Sequence, residues 1–291
     1  MLHTLLQKIR ICKPPFIGID LGGDAIYALQ LERTKNTTYI VKSSMHLPIN
    51  NPQDDHLLLE ALQTIAAQHP HAHIAAAIPS SLAITKTIQL DTKLTTKEIN
   101  ELLLLNGDKY LDCPLASVNF DFQISQTKQN EIQLVASRKE SVLQKLNLMN
   151  SAGLTTKVID IDIFALARAA QWLMGDVEFA YAVIHADQRR LLFCVIDNQE
   201  VTHFQGNYLH QPSKLSNIAE QVITNWQMHN SGQHSDVQKI LLTGTYAMEP
   251  KFIEYLSKAI ELPMHHNFSQ IAPTLMVAIG LAFRKFDYAK F

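Results

Sequence analysis

The stretch Phe16-Ile-Gly-Ile-Asp-Leu-Gly-Gly-Asp-Ala-Ile-Tyr-Ala-Leu-Gln-Leu31 restricts the possible folds of this chain more than any other. An apolar run ends on Asp20, the backbone turns at Gly22-Gly23, and Ile26, Ala28, Leu29 and Leu31 resume the apolar pattern. Two strands joined by a tight turn fit that order, with glycine where the backbone needs unusual dihedrals or a close approach. A carboxylate that closes a buried strand ahead of two glycines also sets a metal-seeking group beside a phosphate-sized gap. The stretch therefore predicts a hairpin and raises the question of whether it holds phosphate.

The segments that follow extend the hairpin into a lobe. Thr38–Ser43 predicts a third strand, and residues 54–68 carry Leu58, Leu62 and Ile65 at helical spacing. His73–Pro79 reads as a short buried strand ended by Pro79-Ser80-Ser81. Ile84–Leu90 favours extended backbone, Thr95-Thr-Lys-Glu98 is a capping box for a helix to about Tyr110, and Ser117–Ser125 alternates. After a turn at Lys128-Gln-Asn130, Ile132, Leu134 and Ala136 pair back, and a helix over Lys139–Ala152 closes at Gly153.

A second, similar series begins at Thr155. It has a strand over Thr155–Asp160, a helix capped by Asp162, and a meander of Phe179–His185, Leu191–Ile196 and Glu200–Gln205. Helix Ser213–Met228, strand Lys239–Thr243, helix Glu249–Ile260 and a brief strand at Pro263–His266 follow, before a last helix from Pro273. Meander, helix, strand and helix thus occur twice, which predicts an α/β protein of two similar lobes facing a cleft. The expected division is a lead at 1–15, a first lobe at 16–81 and 155–176, and an inserted α+β subdomain at 82–154. A second lobe spans 177–270, and a C-terminal helix 271–291.

Composition excludes several classes of function. A formal charge of −2 over 291 residues lacks the basic excess of a nucleic-acid binder, and no run approaches the ~20 apolar residues of a membrane-spanning helix. Cys12, Cys113 and Cys194 are isolated, without a CxxC pair, which fits a reducing cytosolic compartment. Met1–Cys12 lacks the apolar core and cleavage site of a signal peptide. Its Leu2, Leu5, Leu6 and Ile9 fall at helical spacing, which allows two readings: a helix touching an anionic membrane or partner, or a lead-in packed on the body.

From Ala77-Ile-Pro-Ser-Ser-Leu-Ala-Ile-Thr-Lys-Thr-Ile-Gln-Leu90 onward the chain resembles the PilM family of type IV pilus assembly. The likeness continues through Asp108-Lys-Tyr-Leu-Asp-Cys-Pro-Leu115, Val118-Asn-Phe-Asp-Phe-Gln123, Leu134-Val-Ala-Ser-Arg-Lys-Glu140 and Val158-Ile-Asp-Ile-Asp-Ile-Phe-Ala-Leu-Ala-Arg168. It covers about Phe16 to Ala170 and persists beyond as a pattern. The resemblance implies an actin-like (ribonuclease H-like) fold with a small inserted subdomain and with ATP and Mg²⁺ between the lobes. It also implies a groove by the inserted subdomain that receives the cytoplasmic tail of PilN, an inner-membrane partner. The family is related to the cytoplasmic domain of the type II secretion protein GspL, which keeps the fold for docking. Ile84, Thr85, Ile88, Phe120 and Phe122 are the expected partner contacts; for the two phenylalanines a core position is the plainer reading.

By the same resemblance, Asp20, Gly22, Gly23 and Gly244 would hold the nucleotide, Asp20 the metal, and Asp162 would sit near the attacking water. The family's Asp-Ile-Gly-Ser-Ser-x-Val-Lys is here Asp20-Leu-Gly22-Gly23-Asp24-Ala-Ile-Tyr27, so a carboxylate replaces a hydroxyl and a tyrosine the lysine. The second turn, Val183-Ile184-His185-Ala186-Asp187, lacks the family's Asp and Gly, and Arg189 and Arg190 read as solvated turn residues. Asp162 also reads as a plain helix N-cap. The histidines at 69, 71, 73, 265 and 266 have no Cys or carboxylate cluster to complete a metal site, and no GxSxG, HExxH or Walker A motif occurs. The sequence thus favours a docking scaffold with an eroded nucleotide site. Its rivals are a slow actin-like ATPase, a GspL-like docking domain and a polymer-forming actin relative.

Overall fold

Two five-stranded sheets of the same design carry the chain, seen in a computed structural model that describes residues 14–35, 38–51, 54–232, 236–268 and 271–288. Met1–Cys12, read above as an amphipathic lead, lies outside the described residues. β1 (Phe16–Leu21) and β2 (Ala25–Arg33) form the predicted hairpin, with Asp20 opposite Tyr27. β3 (Tyr39–Pro48) runs past the expected end at Ser43, because it pairs with β2 along that strand's length across a bulge at Gln30/Leu31. β4 (His73–Ile78) and β8 (Thr155–Ile161) add in parallel, giving the order β3-β2-β1-β4-β8. The second sheet repeats this as β11-β10-β9-β12-β13. It comprises β9 (Ala180–Ala186), β10 (Arg190–Asp197), β11 (Glu200–Tyr208), β12 (Val237–Thr243) and β13 (Met264–His265).

The helices explain why β2 is buried on both faces, where simple alternation predicts one. Tyr27, Leu29 and Leu31 pack into a core shared with α4 (Asp162–Met174) and α7 (Met276–Tyr288). Ile26 and Ala28 face the other way, toward Leu58, Leu62 and Ile65 of α1 (Asp55–Gln68). The α4–α7 core also takes in Tyr181, Val183, Leu192 and Cys194 from the second sheet, so one apolar layer joins both lobes. Small residues permit this: a Cβ on Gly280 would fall 1.7 Å from the Ala165 carbonyl oxygen, so only glycine lets α7 lie this close on α4. α7 itself starts at Met276, after a 3₁₀ turn over Pro273–Leu275. The outer face of the second sheet is covered by α5 (Leu215–Ser231) and α6 (Pro250–Ala259).

Between β4 and β8 the chain builds a separate three-stranded sheet in the order β5-β7-β6. β5 (Ala83–Gln89) leads into α2 (Thr96–Leu111), whose predicted Thr95/Glu98 capping box is present. β6 (Val118–Ile124) and β7 (Glu131–Arg138) form the hairpin, with α2 covering one face through Ile99, Leu103 and Leu111. α3 (Lys139–Ser151) then returns to the first lobe, where Met149 packs with Leu62 and Ile74. No described helix is long and apolar enough to cross a membrane.

Candidate functional site

The two sheets bring their first hairpins face to face, and Arg190 bridges them. It opens β10, the first residue of a buried run, and is 2% exposed. Its guanidinium donates from Nη1 to Asp20 Oδ1 (2.7 Å) and from Nη2 to Asp20 Oδ2 (2.8 Å), a bidentate fork on the residue that ends β1. Nη2 also donates to Asp187 Oδ2 at 3.1 Å. The reading of Arg190 as a solvated turn residue is therefore corrected: the opposing carboxylate lies 170 positions away in sequence, and local turn statistics carry no trace of it.

Asp187 is the second correction, since a carboxylate does stand in the β9–β10 turn. Its Oδ1 accepts from the Thr245 amide (2.8 Å) and hydroxyl (2.9 Å), and its Oδ2 from Arg190, with His185 Nε2 at 3.0 Å. Thr243 Oγ1 donates to the Ile184 carbonyl, so it accepts from His185 Nδ1–H at 3.0 Å. That leaves His185 Nε2 to the Arg190–Asp187 pair. Burial alone would raise the Asp187 carboxyl, but His185, Arg190 and the Thr245 amide together hold it well below the usual carboxylate range. For Arg190, burial opposes the charge, and Asp20 and Asp187 more than reverse that effect.

Asp162, the candidate beside an attacking water, is also engaged. It is the first helical residue of α4, with Ile161 at the cap position, so the N-cap reading is corrected. Its Oδ1 accepts from the Ser80 amide (3.0 Å) and its Oδ2 from the Tyr208 hydroxyl (2.5 Å). Burial raises its carboxyl, with Arg190 and the Tyr208 hydrogen bond pulling the other way.

The glycine turns serve close packing, Gly23 between the lobes and Gly244 within the second lobe. A Cβ on Gly23 would meet Arg189 Cβ at 2.7 Å, and Arg189 reaches across to donate to the Asn50 carbonyl at 3.0 Å. Gly244 has φ +85°, and a Cβ there would fall 2.5 Å from the Ala186 carbonyl oxygen. Gly22, Gly23, Asp20, Asp162 and Arg190 line a cavity of about 150 Å³ together with Lys145. Burial pushes Lys145 down to about 8, against the pull of Asp20 and Asp162. Asp24 stands at the same turn, and its carboxyl is raised first by burial and then by Asp187. Tyr27, in the family's lysine position, is buried and stacks on His46 with ring centres 5.0 Å apart. Sequence reasoning missed Ser80, Tyr208, Thr245 and Lys145; Ser80 lies at the polar Pro79-Ser80-Ser81 strand end, inside the stretch that carries the family resemblance, but nothing there points to Asp162.

A larger space opens elsewhere. A groove of about 1090 Å³ runs between the three-stranded sheet, α4 and the β10–β11 turn, bordered by Asn119–Gln123, Val135, Phe164 and Ala167. The five expected partner contacts divide here. Ladder pairing places Ile84 and Phe120 with Ala136, Phe122 with Leu134 and Ile88 with Ile132, all on the face packed toward α2. Thr85 pairs with Val135 on the opposite, groove-side face. Phe120 and Phe122 border the groove because β6 is an edge strand, while their rings join the α2 core. At one end of the groove Glu200 accepts from the Ser125 and Thr127 hydroxyls (both 3.0 Å) and from the Gln126 amide, tying the β6–β7 hairpin tip to the second lobe.

Comparison with known proteins places these features. The PilM–PilN type IV pilus biogenesis complex contains a chain of the same fold, with TM-score 0.72 and 15% identity, covering 93% of this chain and 98% of that one. The cytoplasmic domain of EpsL, an inner-membrane component of the type II secretion system of Vibrio cholerae, matches with TM-score 0.53 and 14% identity, covering 95% and 96%. The inorganic polyphosphate/ATP-glucomannokinase of an Arthrobacter species matches with TM-score 0.51 and 13% identity, covering 95% and 100%. Residues 18–207, the span that holds most of both facing hairpins, the inserted sheet and all of the groove lining but Arg284, match the type IV pilus assembly protein PilM family. The chain is a member of the PilM family and has its actin-like α/β fold.

Proposed function

We propose that this chain is a cytoplasmic docking scaffold of a type IV pilus inner-membrane assembly complex, peripheral to the membrane through a PilN-type partner whose tail enters the groove beside β6. Nucleotide turnover has no part in this role. The observation that carries the reading is the Arg190 fork on Asp20, because the guanidinium stands where a cation and phosphates would have to meet that carboxylate. Mg²⁺–ATP does not fit the arrangement. Both oxygens of Asp20 are taken by Arg190, both of Asp162 by Ser80 and Tyr208, and a cavity of about 150 Å³ is small beside the ~300–1,000 Å³ of ordinary ligand pockets. The groove, at about 1090 Å³, has room for an extended peptide. The structure in the PilM–PilN complex supports such a partner by likeness of fold.

Calorimetric titration with a synthetic peptide of the PilN-type cytoplasmic tail tests this directly. Saturable binding that is lost when Val135, on the groove wall, is replaced by Lys is expected; absence of binding by the unmodified protein would contradict the reading.

A further inference from the structure

Resting on the docking reading above, we infer that the groove takes its partner by strand addition: an extended segment carrying basic side chains pairs with the free edge of β6 as a fourth strand. The ladder geometry assigns the edge. The Ser125 amide donates to the Glu131 carbonyl, which makes 125/131 a hydrogen-bonded pair. Odd-numbered residues of β6 therefore direct their N–H and C=O groups toward β7. The Leu90 amide donates to the Asn130 carbonyl, so the even-numbered residues of β7 serve β5, and the two ladders agree. The even-numbered residues of β6 then turn their backbone groups outward, along the groove. The Val118 amide is taken by the Leu115 carbonyl and the Phe122 amide by the Asp121 carboxylate (2.8 Å). The Phe120 N–H and C=O, the Phe122 C=O and the Ile124 N–H have no partner among the described residues.

Edge strands are ordinarily blunted by proline, charged side chains (lysine above all), a bulge or a covering element. β6 has no proline, lysine or bulge, and its one charged side chain, Asp121, occupies only the Phe122 amide. Its distal end is instead held in place by Glu200 at the hairpin tip, which keeps the edge in one position over the groove. Such an edge is what extended peptides add to. Charge narrows the occupant further. Along the groove wall carboxylates outnumber cations five to three. Asp160 is matched by Arg168 and Arg284, and Lys128 by Glu131, whereas Asp121 and Asp197 have no cationic partner among the described residues. An incoming strand with basic side chains supplies what they lack.

The test uses the wild-type protein and the synthetic PilN-type tail peptide, N-methylated one residue at a time. Strand addition predicts that methylation at every second residue weakens binding about tenfold, with little change at the residues between. It also predicts that the Phe120 and Ile124 amides gain protection from hydrogen exchange in the complex, and that Asp121→Asn with Asp197→Asn weakens binding and flattens its salt dependence. Binding without the alternation overturns strand addition and leaves docking standing. Absence of binding by the unmethylated peptide overturns both. Concentration-dependent dimerisation that protects the same two amides without peptide would assign the edge to a second copy of this chain instead.

Discussion

Replacing Arg190 with alanine removes one partner from a cluster that has little access to water. Asp20 is 2% exposed and Asp187 is fully buried, so Arg190→Ala leaves two carboxylates to be solvated where solvent hardly reaches. Breaking a buried pair by removing one member costs about 3–5 kcal/mol, most of it the desolvation of the charge left behind. For a chain of this length that corresponds to a fall of about 5–8 °C in melting temperature. Arg190→Lys keeps the charge but loses the fork, and should fall between wild type and alanine. Arg190→Met combined with Asp20→Asn removes both partners of the main fork and should recover much of the loss, because it takes away the orphaned charge as well as the bond. Thermal melts of the four proteins at neutral pH measure this directly. An unchanged melting temperature for Arg190→Ala would refute the placement of the cluster as the joint between the lobes, and so would a double variant no more stable than the single one.

Three further outcomes follow from the same geometry. Burial opposes the charge on the Asp162 carboxylate, so Asp162→Asn should melt at or above wild type, whereas Asp162→Ala should lose about 1–3 kcal/mol by removing the carboxylate acceptor of the Ser80 amide and the Tyr208 hydroxyl, which then keep only each other. Asp187 is held well below its ordinary 3.8, so its contribution is present above about pH 4 and is lost as pH falls further, while the unfolded chain binds a proton that the folded one refuses. Melts of wild type and Asp187→Asn at pH 6 and pH 3 should show the steeper acid loss in wild type. Glu200→Ala should speed amide exchange at Gln126 and neighbouring hairpin-tip residues, with a stability loss of at most about 1 kcal/mol because that tip is exposed.

The architecture was largely legible because periodicity and punctuation are local. The Gly22-Gly23 turn, the Thr95/Glu98 box and the repeated meander each declare an element within a few residues. The contents of the cleft were not legible. Arg190 and Asp20 lie far apart in sequence, as do Asp162 and Tyr208, and nothing near either partner indicates the other. One signal was present: Arg190 heads the unbroken apolar run Leu191–Ile196, and a charge at the mouth of a strand buried on both faces has to be paired. The alternation of Phe120 and Phe122 placed them on one face of a strand, but which face meets the groove depends on where α2 packs, a tertiary fact. The double burial of β2 likewise needed the α4–α7 layer before it could be understood.

In the cleft, Arg190 engages both oxygens of Asp20, which leaves that carboxylate no free oxygen for Mg²⁺–ATP. Titration of the wild-type protein with Mg²⁺–ATP to millimolar concentration, followed by calorimetry, tests it most directly. No saturable heat is expected. Stoichiometric binding that Asp20→Ala abolishes would contradict it.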